Sequence, residues 1–143
     1  MRFEPQRDAA FAFLFGIIVL LLLAVIVAIW FAPATLGEKI PLILVIMVFE
    51  TFFLLVWYNT HYVITDTHVI IVLGIFKSKI PLDSITSVTS IKTLLAGPAF
   101  STNRLNIQYN NGMSFAHVAP KDREAFVSAL RKHSSDRIPI KLD

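Results

Sequence analysis

Hydrophobic residues follow two different patterns along this chain. Between Ala9 and Phe31 there is no charged residue across 23 positions, and between Pro41 and Tyr58 the single charge of Glu50 interrupts 18 apolar positions. From Tyr62 onward, short stretches alternate apolar with polar residues, which is the pattern of half-buried strands. The sequence therefore predicts two long helices followed by a small β-rich domain.

The two apolar runs predict a transmembrane helical hairpin, with helices at about 9–32 and 41–58. A helix of 23 residues is about 34 Å long, which matches a hydrocarbon core of about 30 Å. The aromatic residues Trp30 and Trp57 stand near the ends of the two runs, where membrane proteins commonly place such side chains. We therefore expect a multi-pass protein of the cell membrane, with residues 1–60 forming the membrane unit.

The positions of lysine and arginine predict the orientation of this hairpin. Arg2 and Arg7 precede the first run, only Lys39 lies in the polar turn, and Lys77 and Lys79 follow the second run. Cytoplasmic segments next to membrane helices carry the excess of basic residues. Both termini are therefore predicted to be cytoplasmic.

Residues 61–143 are predicted to form a cytoplasmic domain of short antiparallel strands. Asn111-Gly112 is the strongest short hairpin signal in the chain, because both residue types accept positive φ. Ile85, Val88 and Ile91 recur every three positions, which permits either a bulge or a short helical turn. The predicted strands are 62–65, 69–73, 76–80, 85–91, 105–109 and 113–118.

A terminal amphipathic helix is predicted at about 120–133. Apolar residues recur there at helical spacing, acidic residues lie early and basic residues lie late, as the helix dipole favours. The tail from Ser134 onward is predicted to be frayed. The fold class is thus an α+β membrane protein, in which this helix caps a small antiparallel barrel or curled sheet.

Four stretches of the domain carry a more specific resemblance. They read Tyr62-Val-Ile-Thr-Asp, Lys79-Ile-Pro-Leu-Asp-Ser-Ile, Gly97-Pro-Ala-Phe-Ser-Thr-Asn-Arg-Leu-Asn-Ile-Gln-Tyr and Ala119-Pro-Lys-Asp-Arg-Glu-Ala-Phe. Together they resemble the bacterial PH-like domain family of the YyaB-like type. This resemblance implies N-terminal membrane helices followed by a PH-type barrel with a C-terminal helix. It points to no known enzymatic activity, because the family is largely uncharacterised.

Charge is divided unequally between the two parts of the chain. Residues 1–58 carry three basic and four acidic side chains, whereas residues 59–143 carry ten basic and six acidic ones. A mildly basic domain suits an anionic lipid surface but is too weakly charged to indicate a nucleic-acid partner. The chain contains no cysteine, which excludes disulfides and thiolate chemistry.

Motifs for catalysis or cofactor binding are missing from the sequence. It contains no glycine-rich phosphate loop, no HExxH and no GxSxG, and no nucleophile, base and orienting group can be assembled. We expect no enzymatic activity, no cofactor and no metal. Lipid-binding members of the PH fold use a basic cluster around their first hairpin loop. The corresponding Thr65-Asp66-Thr67-His68 is not basic, which argues against a phosphoinositide ligand.

Glu50, Lys77 and Lys79 are candidate interaction residues. A charge near the centre of a membrane helix costs at least ~2.5 kcal/mol, so Glu50 is predicted to be protonated or hydrogen-bonded to a partner helix. It either contributes to helix association or ligand contact, or it is an acid tolerated inside the bundle. Lys77 and Lys79 share one face of a predicted strand, as a contact surface or as an ordinary solvated face.

A loop around residues 93–103 provides the other candidates. Leu94, Leu95 and Phe100 are apolar residues in this turn-like segment, and Lys92 and Arg104 flank it. Apolar side chains framed by cations suit an anionic membrane interface or a partner protein. Alternatively, the apolar residues fold back and close the end of the barrel.

The sequence favours a non-catalytic scaffold or partner-binding role at the cytoplasmic membrane face. The lipid bilayer is the expected environment, and self-association or binding to another membrane protein would occur through the helices. An alternative is immunity against a secreted peptide toxin, because a related type of bacterial membrane protein with a PH-like domain serves as such an immunity factor.

Overall fold

The computed structural model describes residues 1–92, 101–134 and 137–142. Two long helices, α1 (Ala9–Phe31) and α2 (Leu36–Tyr58), precede a β-rich domain that ends in a third helix, α3 (Arg123–Ser134). A short 3-10 turn occupies Leu82–Ser84. The strands are β1 (Arg2–Phe3), β2 (Thr60–Ile64), β3 (His68–Leu73), β4 (Phe76–Pro81), β5 (Ile85–Lys92), β6 (Asn103–Tyr109), β7 (Ser114–Val118) and β8 (Ile140–Lys141).

Helix α2 begins at Leu36, five residues before the predicted start at Pro41. The reason is a capping box, in which the Glu38 carboxylate accepts hydrogen bonds from the Thr35 backbone N–H and hydroxyl, both at 2.9 Å. Such a cap satisfies a backbone donor that the first helical turn leaves unpaired. Pro41 therefore lies inside the helix rather than at its start, and the turn between α1 and α2 is short.

The strands form two four-stranded sheets, in the orders β1-β2-β3-β4 and β7-β6-β5-β8. The pairs β2–β3, β3–β4 and β6–β7 are all antiparallel, and the last is the hairpin that Asn111-Gly112 predicts. Asn110, Asn111 and Gly112 adopt positive φ in the β6–β7 turn, as the Asn-Gly signal predicts. The register of β5 against β6 shifts between Ile85 and Ser87, so the spacing in this strand reflects a bulge. Strand pairing in the described residues thus defines two sheets and does not show barrel closure.

A hydrophobic core formed by described residues lies between the two sheets and α3. Tyr62 and Ile80 come from the first sheet, Val88 and Ile107 come from the second, and Phe126 comes from α3; all five are fully buried. The helix begins three residues after the predicted start, where Asp122 Oδ1 accepts a 3.0 Å hydrogen bond from the Ala125 N–H. Helix α3 thus caps the core as the sequence predicted.

The N-terminal segment, which the sequence analysis placed in the membrane unit of residues 1–60, pairs with the β-rich domain. Strand β1 pairs antiparallel with β2, and Pro5 forms a β-bridge with Pro120. The Phe3 ring packs edge-on against Phe126, with 5.3 Å between ring centroids. Main-chain pairing over so few residues leaves no hydrophobic periodicity, so the sequence pattern does not reveal it.

Residues 137–142, the described part of the tail that the sequence predicted to be frayed, pair and pack with the domain. Strand β8 pairs in parallel with β5, with Ile140 opposite Val88, and Ile138 is buried against the core. A β-branched residue every second position (Ile138 and Ile140) was the available signal. Pro139 and the basic neighbours Arg137 and Lys141 obscured it, because proline and lysine are depleted from strands.

Candidate interaction surface

Helices α1 and α2 are each long and apolar enough to cross a membrane, with mean hydropathies of 3.3 and 2.5 in their most apolar windows. They do not act as core helices of the domain, because 0% and 6% of those windows are buried. Their outer surfaces carry exposed leucine, valine, isoleucine and phenylalanine side chains. Such surfaces are consistent with membrane association.

The junction between the helices and the domain contains no flexible linker. Strand β2 starts two residues after α2 ends, and the Thr60 hydroxyl donates a hydrogen bond to the Val56 carbonyl. The Asn59 side-chain amide donates a 2.6 Å hydrogen bond to the Gly74 carbonyl. The end of α2 is therefore fixed to both β2 and the turn that follows β3.

The N-terminal segment ties α1 to the same junction. Asp8, which precedes α1, accepts a 2.9 Å hydrogen bond from the Thr102 backbone N–H through Oδ2. The Phe15 ring stacks on Trp57, with centroids 4.4 Å apart and planes inclined by 13°. Trp57 is buried in this contact, so it packs the two helices together near the end of α2. Tyr58, in contrast, is exposed.

Residues 74–76, which comprise the turn between β3 and β4 and the first residue of β4, lie against α2 and are hereafter called the β3–β4 turn. Gly74 has φ +62°, and a Cβ atom there would stand 3.1 Å from Val56 Cγ2. Only glycine accepts both the left-handed backbone and this close approach without strain. Ile75 and Phe76 follow with 66% and 59% of their surface exposed. The Phe76 ring nevertheless contacts Phe52 of α2, with 6.3 Å between centroids.

The outer face of the first sheet is basic. Strand register places Lys79 opposite Ile70, Ile70 opposite Val63, and Val63 opposite Arg2. Directly opposed residues in an antiparallel sheet project from the same face, so Arg2 and Lys79 share this side of the sheet. We call this surface, with Arg2, His61, Lys77 and Lys79, the basic face.

His61 and Lys77 lie on the basic face through a second row, in which both stand opposite Val72. Partial burial lowers the pKa of His61, and the positive charges of Arg2 and Lys77 lower this pKa further. Sequence reasoning identified Lys77 and Lys79 but missed Arg2 and His61. No sequence signal reveals Arg2, because only the pairing of β1 brings it to this sheet.

The remaining predicted residues lie apart from the basic face or outside the described chain. Lys92 is exposed at the end of β5, and Glu50 is partly buried within α2. Arg104 differs from the expected surface cation: it is 1% exposed, and its Nε donates a 2.8 Å hydrogen bond to the Ser101 carbonyl. The predicted apolar contact residues, namely Leu94, Leu95 and Phe100, lie outside the described residues.

The described residues also contain a groove, but no cluster of metal ligands. A shallow groove of about 440 Å³ runs between β1 and α3, lined by Phe3, Ala125 and Ala129 among others. No group of three His, Asp or Glu side chains within residues 1–92, 101–134 and 137–142 comes together in a way that could hold a metal ion.

The fold and this surface define a PH-like domain attached to two apolar helices. Residues 60–134 match the family described as bacterial PH domain, and the chain belongs to that family. The chain is also similar to the uncharacterized protein YyaB of Bacillus subtilis (strain 168), at 26% identity over 144 residues that cover 96% of each chain. The resemblance drawn from the sequence is thereby confirmed.

Proposed function

We propose that this chain is an integral membrane protein that holds its PH-like domain against the cytoplasmic face of the cell membrane as a non-catalytic binding module. The observation that carries this proposal is the short, hydrogen-bonded junction between exposed apolar helices and the domain, in which Asn59 and Thr60 tie α2 to the sheet. A tethered module of this kind presents a fixed surface to membrane partners. Its role is to assemble proteins rather than to transform a substrate.

Membrane integration is the first part of the proposal to test. The full chain is expressed in cells, and membranes are washed with alkaline carbonate and with urea, which remove peripheral proteins. The protein is expected to remain in the membrane pellet, because two apolar helices leave the bilayer only at a large cost in exposed apolar surface. Release into the supernatant would overturn the proposal.

The orientation is tested with single cysteines, since the natural chain contains none. Gly37→Cys lies at the start of α2, and Asn111→Cys lies at the exposed β6–β7 turn. A membrane-impermeant thiol reagent added to intact cells is expected to label position 37, and to label position 111 only after permeabilisation. Labelling of position 111 but not of position 37 in intact cells would show that the chain has the opposite orientation.

Association through the helices is the third part of the proposal. Glu50 is partly buried on α2, and acidic groups inside membrane helices usually contact another helix or a cavity. The proposed partner is a second copy of the chain or another membrane protein. Crosslinking in native membranes, followed by mass spectrometry, identifies which of these is captured.

A matched pair of variants tests the contribution of Glu50. Glu50→Leu is expected to change the crosslinked species while leaving membrane insertion intact. Thr51→Leu is the control, because Thr51 is exposed and projects about 100° away around the helix. An unchanged crosslinking pattern in Glu50→Leu would show that this residue has no part in association.

A further inference from the structure

We infer that the β3–β4 turn enters the bilayer beside α2, and that Lys77 and Lys79 of the basic face contact anionic lipid headgroups. The occupant of this surface is thus the lipid bilayer itself. The inference rests on the proposed function, since it requires that α2 spans the membrane. The β3–β4 turn lies at the opposite end of the β2–β3 hairpin from the loop at Thr65–Thr67.

The length of α2 fixes where the membrane boundary falls. Glu38 and Lys39 occupy the first turn of this helix, so its apolar length runs from Ile40 to Tyr58. At 1.5 Å per residue this length is about 28 Å, and a hydrocarbon core is about 30 Å thick. The apolar part of α2 is therefore no longer than the hydrocarbon core is thick. The boundary between hydrocarbon and headgroups on the domain side must lie close to Tyr58.

The contact between Phe52 and Phe76 places the β3–β4 turn on the hydrocarbon side of that boundary. Phe52 precedes Tyr58 by six residues, which is about 9 Å along the helix axis. Helical side chains lean toward the N-terminus, which in α2 is the end away from the domain. The Phe76 ring, 6.3 Å from the Phe52 ring, therefore lies closer to the centre of the bilayer than Tyr58 does.

The chemistry of the β3–β4 turn suits this location. Ile75 and Phe76 are adjacent, large and mostly exposed to solvent within the described structure. A backbone carbonyl in hydrocarbon needs a hydrogen-bond partner, and the Gly74 carbonyl has one in the Asn59 amide at 2.6 Å. The close packing of Gly74 on Val56 holds the turn against α2. The apolar surface of the turn is thus continuous with that of the helix.

The basic face stands where lipid headgroups would lie. Lys77 directly follows Phe76, and Lys79 comes two residues later on the same face, about 7 Å further along the strand. Both side chains are exposed, and long lysine stems let the ammonium group reach the headgroup layer. Within the described residues, neither lysine forms a salt bridge with a carboxylate. These charges are therefore available to anionic phosphates.

A depth measurement tests the insertion of the β3–β4 turn. The full-length variants Ile75→Cys and Asn111→Cys each receive the same environment-sensitive fluorophore and are reconstituted in phosphatidylcholine vesicles containing phosphatidylglycerol. Acyl-chain spin labels are expected to quench the fluorophore at position 75 and to leave the one at position 111 unquenched. Asn110 contacts Ser84, and Leu82 of the same 3-10 turn contacts Thr67 in the loop at the end of the β2–β3 hairpin away from α2. Equal quenching at both positions would overturn the inference.

The charge contact is tested by the lipid selectivity of the full-length chain. Spin-labelled phosphatidylglycerol is expected to associate more strongly than spin-labelled phosphatidylcholine, and Lys77→Gln is expected to reduce this preference about fivefold, which corresponds to ~1 kcal/mol per basic residue near an anionic surface. Lys132→Gln is the control, because the neighbouring His133 contacts Asp66 at the end of the domain away from α2. Equal effects of the two variants, or no effect of either, would contradict a headgroup contact.

Carbonate extraction of the same samples distinguishes a failure of membrane integration from a failure of the β3–β4 turn to insert. If the chain is extracted from the membrane, the proposed function itself has failed. If the chain stays in the membrane and position 75 remains unquenched, only the insertion of the β3–β4 turn has failed.

Discussion

Arg7 donates a 2.7 Å hydrogen bond from Nη2 to the main-chain carbonyl of Trp57, and its guanidinium carbon lies 5.3 Å from the centroid of the Trp57 ring. The two residues are 50 positions apart in the sequence. This contact joins the segment that enters α1 to the segment that leaves α2. It also satisfies one of the carbonyl groups that a helix C-terminus leaves unpaired.

Replacing Arg7 is expected to loosen the junction. Arg7→Ala removes a charged hydrogen bond and a cation–π contact, and should lower the free energy of unfolding by about 1–2 kcal/mol. Thermal unfolding of the full chain in detergent micelles measures the change. Arg131→Ala, at an exposed position of α3, should have little effect, and equal losses in both variants would mean that the Arg7 contact contributes nothing specific.

Gly74→Ala is expected to separate the β3–β4 turn from α2. The left-handed backbone alone costs an alanine about 1–2 kcal/mol, and the new methyl group would also meet Val56 at 3.1 Å. Gly112→Ala provides the matched control, because Gly112 has φ +80° but open space around it. The larger loss of unfolding free energy should belong to Gly74→Ala.

A second variant isolates the contact with Val56 from the backbone strain. Val56→Ala in the Gly74→Ala background shortens the opposing side chain and should recover part of the lost stability. If Gly74→Ala and Gly112→Ala lower the free energy of unfolding equally, the close approach of Gly74 to α2 does not contribute to stability.

The stability of the domain should fall in mild acid through His61 and His117. Partial burial lowers the pKa of both side chains, with the charges of Arg2 and Lys77 adding to the effect at His61 and that of Arg104 at His117. The unfolded chain, with histidine pKa values near ~6.5, then binds protons more readily than the folded chain. The free energy of unfolding is therefore highest above about pH 6.5 and decreases as the pH falls through this value.

The comparison that checks this pH dependence uses histidine variants. A chain with His61→Gln and His117→Gln should lose less stability than the natural chain between about pH 7 and about pH 5. Thermal unfolding at each pH gives the two slopes. Parallel slopes would mean that these two histidines do not govern the acid response.

Tyr62→Phe is expected to weaken the link between the first sheet and the segment after β7. The buried Tyr62 hydroxyl accepts a 3.2 Å hydrogen bond from the Ala119 N–H, and its removal leaves that donor without this partner, at a cost of about 1–2 kcal/mol. Tyr58→Phe, at an exposed position, is the control. An unchanged unfolding temperature in Tyr62→Phe would contradict the role of this hydrogen bond.

Burial also raises the pKa of Tyr62 to about 12. Because the phenol of the unfolded chain ionises first, near its ordinary value of ~10, the stabilising contribution of the neutral phenol is lost as the pH rises through this range. An ultraviolet titration should show one tyrosine ionising later than the others. Its disappearance in Tyr62→Phe identifies the residue.

Several elements follow from the sequence because their signals are local. The 23 residues without charge between Ala9 and Phe31 determine α1, since only a helix satisfies so many backbone groups in an apolar environment. Asn111-Gly112 determines the β6–β7 turn, because few other residue pairs adopt positive φ without strain. The apolar spacing of Phe126 and Leu130 determines the buried face of α3.

Other relationships were decided only by the tertiary structure. Arg2 joins the basic face through the pairing of β1 with β2, Trp57 is buried by Arg7 and Phe15, and Arg104 is turned inward to Ser101. The first two depend on residues far apart in the chain, whereas Ser101 lies three positions from Arg104 and the burial of Arg104 depends on the surrounding fold. Local periodicity reports whether a side chain suits a buried or exposed face, whereas backbone pairing and charge neighbours are set by which segments meet when the core closes.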